Sequence, residues 1–363
     1  MFKKAIEFSL NKVKKGAEIF KDVFPEEQSK DYIYYPLNGT SWTEGFWTGM
    51  LWLSYEFTKD ETFKEIAQNQ IDIYKRRLTK KDEVNTHDLG FLYSLSCVAA
   101  YKLTGNKEAF EIAIGAADLL IGRYHEKGNF IQAWGNIGAR ENYRLIIDCL
   151  LNIPLLYWAS EVTGNKKYGD IAKKHLNTTL DVILRDDFTT YHTFYFDSDT
   201  GNRLRGETHQ GHSDDSCWAR GQAWAVCGIA FSYAYTKDER LIPIFNKVTE
   251  CFLSKLPEDN IPYWDMIFTS GSEPRDTSAA AIACCGILEM NKHVKNEKFM
   301  NKCMEIMNAL VSGYLTDEKS NGILSDGMYA RTRGDKPECN IWGDYFFMEA
   351  LRRLENPDWK MYW

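Results

Sequence analysis

The sequence predicts an all-α fold, a two-layer toroid of the (α/α)6 type, and three observations carry that reading. First, a hairpin unit recurs: an acidic or small polar residue opens an apolar helix, a turn such as Thr-Gly-Asn or Thr-Lys-Asp follows, and a more charged amphipathic helix comes next. Second, six such apolar helices can be counted, and five are followed by an amphipathic partner. Third, the apolar members have almost no polar face, as helices enclosed on all sides require, so they form an inner barrel and the amphipathic ones an outer layer.

In chain order the inner helices open near Glu44 (EGFWTGMLWLSYEF), Asp88 (DLGFLYSLSCVAAYKL), Asp148 (DCLLNIPLLYWASEV), Ser216 (SCWARGQAWAVCGIAFSYAY), Asp276 (DTSAAAIACCGILEM) and Asp344 (DYFFMEALRRL). Outer partners such as ETFKEIAQNQIDIYKRRL and KEAFEIAIGAADLLIGRY follow the first two. The sixth outer position is left for the N-terminal helix, 2–20, since a closed ring needs its last place filled by one end of the chain. The repeat therefore reads as one domain over 1–363, although the length alone would permit two.

Composition excludes several function classes. With 44% apolar and 26% charged residues the chain can bury a large core. A formal charge of −7 and the lack of any long Lys/Arg run argue against a nucleic-acid partner. The first twenty residues carry charges throughout, which is not the pattern of a signal peptide, and no stretch reaches the ~20 apolar residues that span a bilayer. Nine cysteines without a C-x-x-C spacing, several inside apolar helices, read as reduced core thiols of a cytoplasmic protein.

In such a barrel the inner-helix N-termini and the loops before them gather at one mouth. Asp88, Asp148, Asp276 and Asp344 are each acceptable as plain N-caps, yet their carboxylates also converge there. Asp148 is the only carboxylate in RLIIDCLLNIPLL, and an unpaired charge in an apolar wall tends to hold its proton to higher pH, as a general acid must. Asp88, beside His87 in NTHDLGFLYS, would raise the pKa of the first and could grip sugar hydroxyls.

The long connections 125–145, 186–215 and 315–341 are rich in Trp, His, Tyr, Gly and Arg, as loops that carry function tend to be. Trp42, Trp134, Trp218 and Trp224 fall at the mouth, where sugar C–H faces stack on rings; Trp47, Trp52 and Trp158 read as core. His192, His209, Gln210, His212, Arg220 and Gln222 crowd one stretch. A zinc reading of the histidines lacks the H-E-x-x-H spacing, and Arg220 offers bidentate geometry to a carboxylate, either a substrate's or that of Asp214 or Asp215. The loop ARTRGDKPECN brings Arg331, Arg333 and Lys336 to the same mouth, facing an anionic sugar or pairing with Asp335 or Glu338.

Taken together, HDLGFLYSLS, FIQAWGN, RLIIDCLLNIPLL, YHTFYFD, GETHQGHSDDSCWARGQAW, RDTSAAAI and IWGDYFFMEAL resemble the unsaturated glucuronyl hydrolases of glycoside hydrolase family 88, in order from Trp42 to the C-terminus. The resemblance implies an enzyme that removes a 4,5-unsaturated uronic acid from the non-reducing end of lyase-generated chondroitin, hyaluronan or heparin oligosaccharides. It implies Asp148 as acid/base and Asp88 as the second essential carboxylate. It assigns sugar binding to Trp42, His87, Trp134, His192, His209, Gln210, Arg220 and Trp224, and needs no metal or organic cofactor. Glu207, His212 and Cys217 depart from the family pattern beside the site. The implied reaction protonates C4 of an enol ether, adds water at C5, and lets the resulting hemiketal open and expel the neighbouring sugar.

Besides a glycan-binding toroid without catalysis, which would gain nothing from a desolvated carboxyl in an apolar wall, two other readings stay open at this point. One is the related hydrolase of unsaturated galacturonyl groups from rhamnogalacturonan. The other is a sugar epimerase on the same barrel, in which paired histidines would be acid and base.

Overall fold

The computed structural model describes residues 2–363. Its inner helices are α2 (Glu44–Thr58), α4 (89–104), α6 (149–163), α8 (Ala219–Thr236), α10 (Thr277–His293) and α12 (Ile341–Glu355). The outer ones are α1 (Lys3–Ile19), α3 (Glu61–Lys80), α5 (Lys107–Ile121), α7 (Lys166–Ile183), α9 (Leu241–Ser254) and α11 (Glu297–Gly313). Helix α4 contains a wider π turn at Ser94–Val98, and α6 consists of Cys149–Asn152 and Pro154–Thr163. The ring closes where α12 meets α2, and α1 packs against α2, α3 and α12 as the sixth outer helix.

The recurring turn explains the hairpins. Gly105 and Gly164, at φ 71° and 72°, end α4 and α6 in the left-handed conformation that glycine adopts without a Cβ penalty. The next residue starts the outer helix: Asn106 accepts the Ala109 N–H and Asn165 the Lys167 N–H, while Asp60 accepts that of Thr62 before α3.

Each contact between neighbouring inner helices is made over a glycine. A Cβ at Gly45 would stand 2.1 Å from the Phe91 carbonyl oxygen, at Gly90 2.3 Å from the Asn152 Cα, at Gly228 2.4 Å from the Leu150 Cβ, and at Gly286 2.6 Å from the Cys227 Cα. Gly343 meets Ser278 and Gly49 meets Tyr345, completing the circle. Inside it an aromatic column follows the barrel axis. Trp42 and Trp224 pack on Phe91, which with Phe46 and Phe346 packs on Trp363 at the base. The base is closed by residues 359–363, whose last carbonyls accept from Lys102, and by the buried Arg353, paired with Glu289 and Glu349.

The openers differ from the sequence reading at two places. Helix α8 begins after Trp218 rather than at Ser216. Asp344 lies one turn inside α12, because Asn340 precedes the first helical residue. Its carboxylate accepts the Ile323 and Leu324 N–H groups at 3.0 and 2.8 Å and the Tyr34 hydroxyl at 3.1 Å, fastening the loop before α12. Burial pushes its pKa up to about 7 against these bonds.

The connections also contain strands. β1 (Tyr124–His125) pairs with β2 (Phe130–Ile131), and β3 (Arg144–Ile146), β4 (Thr193–Phe196) and β5 (Arg203–Glu207) form an antiparallel sheet with Arg144 opposite Tyr195 and Thr193 opposite Glu207. This sheet walls the mouth. Its first strand runs straight into Asp148 and its last into His209. No helix among the described residues is long and apolar enough to cross a membrane, and all nine cysteines are unpaired.

Candidate active site

A cavity of about 770 Å³ occupies the mouth. Of the residues singled out from the sequence, Asp88, Asp148, Trp42, His87, Trp134, His192, His209, Gln210, Trp218, Arg220, Trp224 and Arg333 line it. Arg331 and Lys336 are exposed on the same loop but do not line it. Their suggested partners are engaged elsewhere: Asp335 accepts the Ala330 N–H, and Glu338 accepts from Ser29, Asp31 and Tyr32.

Asp88 and Asp148 each immediately precede an inner helix, yet neither carboxylate bonds to its own helix. Both instead face His87, whose Nε2 is 3.5 Å from Asp88 Oδ1 and 3.4 Å from Asp148 Oδ1. The Thr86 hydroxyl donates to the other Asp88 oxygen at 2.7 Å. His87 is fully buried and fixed by its backbone N–H to the Ala133 carbonyl. Burial alone would lower its pKa, but the Asp148 and Asp88 carboxylates outweigh this and the net shift is upward. For Asp88, burial raises the pKa, the His87 charge lowers it and Asp148 raises it, with a net rise. The three facing atoms lie within 4.8 Å of one another, close enough to hold a cation, and His87 is the member that can itself carry a positive charge.

The other two histidines behave differently. His192 Nδ1 accepts the backbone N–H groups of His209 and Gln210 at 3.0 and 3.3 Å, so its proton is on Nε2. His209 Nε2 faces an Arg144 guanidinium N–H, which puts its proton on Nδ1. Burial, and then the neighbouring positive charges, hold His192 well below the usual imidazole range and His209 below it. Both rings are therefore neutral hydrogen-bond donors. This argues against the epimerase reading, which needs them as acid and base.

Arg220 pairs with Asp276 at 2.9 Å, and neither Asp214 nor Asp215 is its partner. It also donates to the Met328 and Tyr329 carbonyls at 2.5 and 2.7 Å and to Gln210 Oε1 at 2.7 Å. The cation thus holds the loop before α12 against α8 and leaves the Gln210 amide N–H groups free.

The aromatic walls are individually braced. Trp42 stacks on Trp342 with centroids 5.2 Å apart and donates to the Tyr329 hydroxyl at 3.2 Å. The segment before it is held by Arg77, which pairs with Glu44 at 2.8 Å and donates to the Ser41 carbonyl. Trp134 is 43% exposed, with the Arg144 guanidinium 4.4 Å from its ring, while Trp224 is buried beneath the cavity.

Arg144, Tyr195 and Tyr329 escaped the sequence reading. Arg144 had a signal in being the lone cation at the head of RLIIDCLLN. Tyr195 and Tyr329 had none, since their places depend on strand register and on the fold of a long loop.

Stacked aromatics, neutral imidazole donors and a carboxylate pair at the mouth of an (α/α)6 toroid define a glycoside hydrolase. The family model for Glycosyl Hydrolase Family 88 matches residues 13–358. The unsaturated chondroitin disaccharide hydrolase of Streptococcus pneumoniae is 46% identical, over 99% of this chain and 93% of its own. The unsaturated glucuronyl hydrolase of Bacillus sp. (strain GL1) is 39% identical, over 98% and 97%. The crystal structure of the unsaturated glucuronyl hydrolase from Streptococcus agalactiae superposes with a TM-score of 0.96 at 45% identity, covering 99% of this chain and 93% of that one. The chain belongs to glycosyl hydrolase family 88.

Proposed function

We propose that this enzyme removes the 4,5-unsaturated uronic acid from the non-reducing end of lyase-generated glycosaminoglycan oligosaccharides. The observation that carries the reading is the meeting of Asp88 and Asp148 on one buried imidazole inside an aromatic cavity. It agrees with the names of the relatives and with a solved complex of a Streptococcus agalactiae variant with dGlcA-GalNAc6S, 41% identical to this chain.

In the proposed reaction Asp148 gives its proton to C4 of the enol ether, leaving an oxocarbenium-like centre at C5. The resulting carboxylate then takes a proton from the water that adds at C5. The hemiketal opens and releases the neighbouring sugar, so bond cleavage follows hydration instead of displacement at C1, unlike the two-carboxylate scheme. Asp88, held by Thr86 and His87, orients the sugar and keeps a second negative charge beside the developing cation. Trp42, Trp134 and Trp224 stack on the rings, and His87, His192, His209 and Gln210 contact hydroxyls and the uronate. Arg220, expected from the sequence as a direct contact, acts on the sugar through the Gln210 amide that it orients. No metal or organic cofactor enters these steps. We assign the whole chain to one catalytic domain and its compartment to the cytoplasm, the latter supported by nine unpaired cysteines among the described residues.

Incubation with unsaturated chondroitin, hyaluronan, heparin and pectin disaccharides, following loss of the conjugated double bond, tests the reaction. Turnover of the pectin product alone would overturn the substrate class. Arg331, Arg333 and Lys336 are the proposed contacts for a sulfated acceptor sugar, with Arg333 nearest the cavity. Arg333→Ala and Lys336→Ala should each raise KM for a sulfated disaccharide, Arg333→Ala more, and scarcely change it for the unsulfated one. Equal effects on both substrates would remove the loop from sulfate recognition.

A further inference from the structure

One side chain ties the first turns of α4 and α6 together. Asn152, buried between these helices, accepts the Phe91 N–H on Oδ1 at 2.9 Å and donates from Nδ2 to the Asp148 carbonyl at 3.2 Å. The amide can face only one way, because a donor stands on one side of it and an acceptor on the other. The Phe91 N–H lies in the first turn of α4, where helices leave their N–H groups without a helical acceptor. A buried group of this kind needs a partner from elsewhere. Gly90 admits that partner: a Cβ there would stand 2.3 Å from the Asn152 Cα and 2.7 Å from its Oδ1.

Asp88 lies three residues before Phe91, and Asp148 four before Asn152. Since each carboxylate belongs to the residue immediately before its helix, the distance between them follows the spacing of the two helix starts. We infer that Asn152 is a positioning residue which, by clamping the first turn of α4 to that of α6, sets the separation of the Asp88 and Asp148 carboxylates across His87. Asn152 does not line the cavity. Its effect on turnover therefore runs through the carboxylates and not through contact with sugar.

The kinetic part of the test rests on the hydrolase reading above, so a second readout needs no substrate. Asn152→Ala removes both bonds. Asn152→Asp keeps the shape and the acceptor for Phe91 but has no donor for the Asp148 carbonyl, and it guards against a variant that merely misfolds. Both should lower kcat on an unsaturated chondroitin disaccharide by about 10–100-fold, the range that a misplacement of about 1 Å costs. KM should stay within about threefold, because Trp42, Trp134, His192 and His209 stand on other segments. In Asn152→Ala the carboxyl titration of Asp88, followed by 13C NMR, should shift away from its wild-type midpoint. Asp148, which raises it, and His87, Thr86 and Arg77, which lower it, all face this carboxylate, and their balance depends on the helix spacing. A residue that only packs would lower Tm while leaving kcat per folded molecule and the Asp88 midpoint at wild-type values, and that result overturns the inference. If the wild-type protein is inert on the disaccharide, the function assigned above fails, and the Asp88 midpoint still decides the clamp.

Discussion

His87 is the residue on which the site turns, because it meets both carboxylates at nearly equal distance. Asp148→Asn should lower kcat by about 10³-fold or more with the circular dichroism spectrum unchanged, since an acid/base group is commonly worth 10²–10⁴. Retention of a tenth of the activity would remove Asp148 from the mechanism. The pH profile follows from the two neighbours. Asp88 has a raised pKa, so its ionised form is lost on acidification at higher pH than for an ordinary carboxylate. His87 is raised too, so its charge persists further into the neutral range. The stability that charged His87 contributes is complete below its unfolded pKa and is lost as pH rises through the folded one. Activity should therefore show an acid limb set by Asp88, which must be ionised to place its negative charge beside the developing cation. His87→Asn removes the positive neighbour that lowers Asp88 and should move the acid limb to higher pH; an unmoved limb would assign it to another group. The carboxylates were legible because each stands alone at the head of an apolar run. The protonation of His192 and His209 was not, since it depends on backbone N–H groups and an arginine placed by the fold.

At the scale of elements, the hairpin turns announced themselves through Thr-Gly-Asn, whose residues end one helix and cap the next. The glycines between inner helices were visible only as scattered residues, because their meaning lies in which helix each one faces. Gly286→Ala tests that meaning. Its Cβ would meet the Cys227 Cα, the Cys227 nitrogen and the Val226 carbonyl oxygen at 2.6–2.8 Å, all backbone atoms that cannot swing aside. We expect destabilisation of about 1–3 kcal/mol, the usual cost of overpacking, read as a lower denaturation midpoint with an unchanged m-value. Wild-type stability would show that the inner ring can breathe at this contact. The strands β3–β5 were missed because they are only three to five residues long: β3 merges with the apolar run that opens α6, β4 is a four-residue aromatic stretch, and β5 is mostly charged. Asp344 misled as an opener because an acidic residue in the first turn of a helix looks much like one just before it.

For the whole molecule, the ring of six hairpins and the place of the N-terminal helix could be read from the repeat, whereas the filling of the barrel axis could not. Trp363 is completely buried and stacks on Phe346 at 5.6 Å, with Phe46, Phe91 and Phe231 around it. Trp363→Ala should cost about 3–5 kcal/mol of stability, as loss of a large core aromatic does. The kcat of the folded fraction should stay within about threefold, since Phe91 and Phe346 still separate this end from Trp224. A large fall in kcat with little change in Tm would show that the column transmits strain from base to mouth.

The place of α1 in the ring has a consequence for how the chain reaches its fold. Lys12 is tied to the Ser320 carbonyl, 308 positions further along, and α1 also packs on α12. During synthesis α1 emerges well before these partners, about 300 residues ahead of them, and cannot pack on them until they have followed it. The successive hairpins have local contacts and can form early, whereas the seam between the two ends must wait, so closure is the late, slow step of assembly. Weakening that seam, for instance at Lys12, should accelerate unfolding far more than it retards folding.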